Sequence, residues 1–190
     1  MKTIQTGWSF FISKKKSQST LHLTFSTTDL FVVVFKFVSD NNRLKNIFMN
    51  TGEKGKAITV QTTIKAPLSK VWKLWSEPQH IIRWNNASDE WHTPSAKNDF
   101  VPNGRFVYRM EAKDGSFGFD FSGVYDEIKD KQQINYTIDD GRKVAVNFTA
   151  SGDETLVVQT FEAEEINSSE LQQQGWQAIL DNFKRYAESN

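Results

Sequence analysis

The chain has 190 residues and a mass of 21.9 kDa, room for one domain with an appendage. Its 23 Lys/Arg balance 23 Asp/Glu, which argues against a nucleic-acid binder working through a charge excess, and the complete lack of cysteine excludes disulfides, thiolate nucleophiles and Cys-based zinc or iron–sulfur sites. The longest apolar run, Leu30 to Phe35, is far short of the roughly 20 residues that cross a bilayer, so a soluble, cytoplasmic protein is expected.

The zero total hides two unlike pieces. Residues 1–48 hold seven Lys/Arg against Asp29 and Asp40, which leaves 16 against 21 in the remainder. Segment 1–48 contains two β-prone runs, 20–25 and 30–38, enough for a hairpin that is marginal alone in water, and is expected to be a basic, poorly ordered extension outside the core fold. Its Lys14-Lys15-Lys16 run suggests a docking arm, and membrane contact is not expected of it. Residues 49–56, polar and glycine-bearing, read as a linker, and the domain proper spans 57–188.

Residues 57–64 alternate, with Ile58, Val60, Thr62 and Ile64 on one face, and predict a half-buried strand. Pro67 ends it and opens a helix in which Leu68, Val71, Trp72 and Trp75 form one stripe; a second short helix runs from Gln79 to Trp84. Residues 85–103 are turn-rich, with Pro94 and Pro102, and predict only a short strand around Trp91. Strands follow at 104–113, 116–129, 132–139, 142–150 and 154–164. Asp-Gly at 114–115 and 140–141 predicts two-residue type I′ turns between them. Gly118 and Gly123 inside the second of these strands suggest a bulge or sharp coil. The last segment returns to helical spacing at Leu171, Trp176, Ile179, Leu180, Phe183 and Ala187, with Asn167 and Glu170 as a capping-box-like start.

The expected fold is therefore α+β, a curved antiparallel sheet of six to seven strands gripping a long C-terminal helix, with two short helices after the first strand. Alternation turns Phe106, Tyr108 and Met110, then Phe117, Phe119, Phe121 and Tyr125, then Ile134, Tyr136 and Ile138, and finally Val144, Val146 and Phe148 toward one interior. Ordinary core packing and the lining of a cavity both fit Trp75, Trp84, Trp91 and Trp176. Cavity-lining candidates are Trp75, Trp84, Phe106, Tyr108, Phe119, Phe121, Tyr136, Phe148, Gln159, Trp176, Leu180 and Phe183. Gln159, Tyr108 and Tyr136 are the polar groups able to orient a guest, whereas Arg109, of opposite parity to Tyr108, points outside.

Signals of catalysis are thin. No nucleophile elbow, phosphate-binding loop or dinucleotide fingerprint occurs. His80 or His92 with Asp89 or Glu90 is the one acid–base or metal cluster to consider, and it lacks zinc-motif spacing. No catalytic residue, metal or cofactor is assigned.

The stretches Pro67–Trp75, Asn98–Met110, Gly118–Ile128 and Gln174–Phe183, in that order, resemble the family of homologues of the heat-shock-protein-90 ATPase activator, within the START-like superfamily also called SRPBCC. The resemblance covers about residues 57–188. It implies a helix-grip fold whose cavity often takes apolar ligands. It also implies two alternatives to a carrier of a small apolar molecule: a chaperone-associated, stress-linked interaction module, or a small enzyme. The eukaryotic activators carry a separate, longer chaperone-binding domain at the amino end, and segment 1–48 is too short to match it, so a stand-alone ligand-binding domain is the nearer comparison.

Overall fold

The computed structural model describes residues 55–190; the expectations for segment 1–48 and for most of the linker fall outside the described residues. Strand β1 (Ala57–Ile64) is followed by helices α1 (Leu68–Ser76) and α2 (Pro78–Trp84). Six strands then come in succession: β2 (Trp91–Asn98), β3 (Arg105–Ala112), β4 (Gly118–Lys129), β5 (Gln133–Ile138), β6 (Lys143–Ser151) and β7 (Glu154–Glu162). Helix α3 (Ser169–Ser189) ends the chain. The sheet is antiparallel throughout in the order β1-β7-β6-β5-β4-β3-β2. The meander explains itself by local pairing through short turns, and β1 closes it by pairing with β7 along its whole length, Ala57 opposite Glu162 to Ile64 opposite Thr155.

Several local expectations are corrected. Residues 91–98 form a full strand in place of a short one. Pro94, which cannot donate to a ladder, is accommodated because β2 is an edge strand and its register shifts between His92 and Ser95. The irregularity in β4 lies between Tyr125 and Glu127, away from both glycines. It reverses the parity, so that Tyr125 and Ile128 both reach the core. Gly123 serves close packing instead: a Cβ there would lie 2.9 Å from Cζ of Phe106 and collide with the carbonyl of Thr137. Neither Asp-Gly turn is type I′, because only the glycines have a positive φ, 70° at Gly115 and 89° at Gly141. Gly141 N–H donates to the Ile138 carbonyl and Ile138 N–H to that of Arg142, the three-residue hairpin in which glycine takes the left-handed position.

The cap of α3 is Ser168 in place of Asn167: its hydroxyl accepts from Leu171 N–H at 3.2 Å, while Asn167 turns back to Glu164. Buried Gln172 then clamps the β7–α3 connection, accepting from Glu164 N–H (2.9 Å) and donating to the carbonyls of Glu164 (3.1 Å) and Asn167 (2.8 Å). Every polar atom of its side chain is thereby engaged, as burial demands.

Helix α3 crosses the concave face and also lies along the free edge of β1. Gln177 accepts from Gln61 N–H at 3.3 Å and donates to Gln61 O at 3.2 Å; Gln173 donates to Thr59 O at 3.1 Å; Glu188 accepts from Lys65 N–H at 2.9 Å. An edge strand presents unpaired backbone groups that invite foreign strands, and here helix side chains occupy several of them. At the far end, Asn182 donates to Trp84 O at 2.7 Å and to Asn86 Oδ1 at 3.0 Å, fixing α3 to the end of α2. Phe183, Leu180 and Ala187 are at most 1% exposed, the buried stripe that helical spacing predicts.

Candidate functional site

A cavity of about 770 Å³ lies between the concave sheet and the first half of α3. Strands β3, β4, β5 and β7 form its floor and α3 residues from Leu171 to Asp181 its roof, with α1 and the α2–β2 connection closing one end. The floor exists because alternate residues of each strand point inward and are large and aromatic. Phe106 sits at the centre, its ring centroid 5.1–5.7 Å from those of Tyr108, Phe121, Tyr125 and Tyr136. In the roof, Trp176 stacks on Phe161 at 4.0 Å and 11°, which pins the helix to β7 and turns the other side of the indole toward Phe121 at 6.1 Å.

Of the sequence-predicted residues, Trp75, Trp84, Phe106, Tyr108, Phe119, Phe121, Tyr136, Gln159, Trp176 and Leu180 line this space. Phe148 and Phe183 do not. Phe148 packs edge-on against Trp72 (5.1 Å) and Trp75 (5.5 Å), and Phe183 against Trp75 (4.9 Å) and Trp84 (4.7 Å), in a filled region beneath α1 and α2. Arg109 lies on the outer face as parity requires, bound to Glu111 at 2.7 Å and Asp120 at 3.3 Å. Trp91, for which packing and lining were both open, lines the cavity, and sequence reading missed Met110, Tyr125, Ile138 and Ile179 as lining residues, although the alternation of β3, β4 and β5 and the helical period of α3 already aimed them inward. It also missed Asp139, Asp140 and Arg142 at the β5–β6 turn, for which no periodic signal exists.

Two polar devices stand in the aromatic interior. Asn98 donates from Nδ2 to Ser76 O (2.5 Å) and accepts at Oδ1 from the Tyr125 hydroxyl (2.7 Å), and the Tyr108 hydroxyl lies 3.2 Å from that of Tyr125. Across the floor, Gln159 Nε2 donates to the Tyr136 hydroxyl at 3.2 Å. Burial pushes all three phenols up, Tyr125 to about 12, with the neighbouring Tyr125 hydroxyl raising Tyr108 further. They are neutral hydrogen-bonding groups under any ordinary condition, unsuited to act as bases.

The charges sit outside this interior. Asp120, Asp139, Asp140 and Asp181 on the cavity's border are exposed. The Ser122 hydroxyl and the Arg105 guanidinium, both 2.5 Å away, hold the Asp139 carboxyl below its ordinary range. Arg142 is bound to Asp140 through Nη2 (2.7 Å) and Nε (2.9 Å) and donates from Nη1 to Glu162 O (3.2 Å).

The histidine cluster does not assemble. His80 Nδ1 is 2.8 Å from the Tyr186 hydroxyl and its Nε2 3.4 Å from Glu77; His92 faces Glu111 at 3.8 Å on the β2–β3 ladder. Neither is paired with Asp89 or Glu90. Among the described residues no three His, Asp or Glu side chains gather where a metal ion would be held, and no helix is long and apolar enough to cross a membrane.

Residues 65–188 match the family described as "Activator of Hsp90 ATPase homolog 1-like protein". Among solved structures, the AHSA1-like protein of Aeromonas hydrophila is 43% identical over 70% of this chain and 93% of its own, with a TM-score of 0.68. A protein of Cytophaga hutchinsonii is 56% identical over 70% and 92%, with a TM-score of 0.62. A protein of Chromobacterium violaceum shares the fold at 17% identity, over 71% and 99%, with a TM-score of 0.64. No functionally curated protein matches the chain.

Proposed function

This chain belongs to the Activator of Hsp90 ATPase homolog 1-like family, and we propose that it is a non-catalytic domain that binds a small apolar molecule between its sheet and its C-terminal helix. The observation that carries this reading is the cavity: about 770 Å³, inside the roughly 300–1,000 Å³ common for ligand sites, walled by aromatic rings and holding few polar groups. The interior offers no nucleophile beside a base, and its phenols are held neutral, so binding is the chemistry it suits.

A second reading, a chaperone-associated interaction module, has the family description in its favour and predicts a partner bound at the surface with no need of a guest. Native mass spectrometry of freshly purified protein, followed by tryptophan fluorescence titrated with fatty acids, sterols, flavonoids and quinones, separates the two. Trp75, Trp84, Trp91 and Trp176 all border the cavity, so a guest produces a saturable change. No co-purifying molecule and flat titrations, together with stimulated ATP hydrolysis by an added chaperone, would replace the first reading with the second.

A further inference from the structure

We propose that the guest is an uncharged apolar molecule bearing a hydrogen-bond-accepting oxygen, and that the Tyr136 and Gln159 pair reads that oxygen. This rests on the cavity-binding reading above and deepens it. Two independent observations carry it, one from charge and one from a count of hydrogens.

The lining contains no lysine and no histidine, and its single cation, Arg142, is committed to Asp140 and to the Glu162 carbonyl. Its four carboxylates are all exposed at the border. A carboxylate or ammonium carried inward would therefore be desolvated with no counter-charge, the most expensive way to bury a polar group.

The hydrogen count then separates the two polar devices. Asn98 is oriented by its bond to Ser76 O, so its Oδ1 must accept, and the one hydrogen of Tyr125 goes to it. Tyr108 is left to donate to Tyr125, so neither phenol of that chain keeps a hydrogen for a guest, and the second hydrogen on Asn98 Nδ2 belongs to a residue outside the cavity lining. In the second device Tyr136 accepts from Gln159, and its own hydrogen has no acceptor among the described residues. Were the Gln159 amide turned over, Tyr136 would donate to it and the amide hydrogens would be left over instead. In both arrangements at least one donor is left without a protein partner beside the aromatic walls of the cavity, and a guest that covered it without accepting from it would leave it unmet. Tyr136 and Gln159 are 7% and 6% exposed, and both line the cavity. A carbonyl or ether oxygen on the guest meets this need; a hydrocarbon does not.

The test compares four probes of one shape at pH 8 by tryptophan quenching and calorimetry: 2-acetonaphthone, naphthalene, 2-naphthoate and 2-naphthylmethylammonium. The ketone is expected to bind about fivefold tighter than naphthalene, the worth of one neutral hydrogen bond, and at least about tenfold tighter than either ion. Removing both partners at once, in Tyr136→Phe/Gln159→Leu, leaves no orphaned group; it should erase the ketone's advantage while naphthalene binds as before. Equal binding of ketone and naphthalene, tighter binding of either ion, or a ketone advantage that survives the double substitution overturns the inference while the cavity reading stands. Failure of all four probes to bind overturns both.

Discussion

Under α1 and α2, Trp72, Trp75, Trp84, Phe148 and Phe183 meet with ring centroids 4.7–5.5 Å apart, and of these only Trp75 and Trp84 also border the cavity. A few residues along the same groove, Phe106, Tyr108, Phe121, Tyr125 and Tyr136 stand 5.1–6.4 Å apart and form the floor of an open cavity. Aromatic content is the same in both regions, so hydrophobicity does not distinguish packing from binding. The difference lies in what covers each floor. Two helices and the second half of α3 press on the first, whereas only the first half of α3 spans the second. The three phenols of the open region also have hydroxyls that must find partners, and they find them within the floor, Tyr108 and Tyr125 with each other and Asn98, Tyr136 with Gln159.

The comparison breaks most visibly under truncation. Phe183→Ala removes a fully buried ring from the filled region, and about 3–5 kcal/mol of stability should go with it, read from denaturant midpoints. Phe121→Ala, at the half-buried edge of the open region, should cost only about 1–2 kcal/mol. Equal losses would mean that the two regions are one core. An effect smaller than that of Phe183→Ala is expected from Asn98→Ala, which leaves Ser76 O and the Tyr125 hydroxyl without their partner and should cost about 2 kcal/mol. The same measurement checks it, and an unchanged midpoint would show that the relay does not organise the floor.

The third effect is one of pH and is confined to the open region, since the filled one has no phenol. Tyr108, Tyr125 and Tyr136 have folded-state pKa values above their unfolded ones, so the stability they lend is complete below the ordinary tyrosine value of about 10 and is lost as pH rises through the folded values, about 12 for Tyr125. Ultraviolet difference absorbance should show no phenolate from these three until the protein unfolds in strong alkali. Their titration in the intact fold near the ordinary value would show that the floor is wet.

Much of this was legible in the chain. The succession of strands, both short helices, the grip of α3 and the inward direction of Phe106, Tyr108, Phe121 and Tyr136 follow from periods of two and of 3.6, whereas the pairing of β1 with β7 does not. Depth along the groove does not follow. Phe148 points inward by the same alternation that serves Tyr136, but the ladder sets it opposite Val157, under α1, and register of that kind is decided by pairing between distant segments. Phe183 obeys the helical stripe and yet falls beyond the half of α3 that roofs the cavity. The Gln159–Tyr136 contact likewise joins residues 23 apart in sequence, a relation that neither strand announces alone. The glycines misled because a close approach, Phe106 against Gly123, and a bulge require the same residue type.

The glutamine contacts between α3 and β1 tie the roof to the rim of the sheet. A guest that enters by lifting the first half of α3 must break them, baring Gln61 N–H and Thr59 O as it does so. Passage through that door would register as faster amide exchange at Gln61, and an occupied cavity, holding the helix down, would also hide a sticky strand from neighbouring molecules.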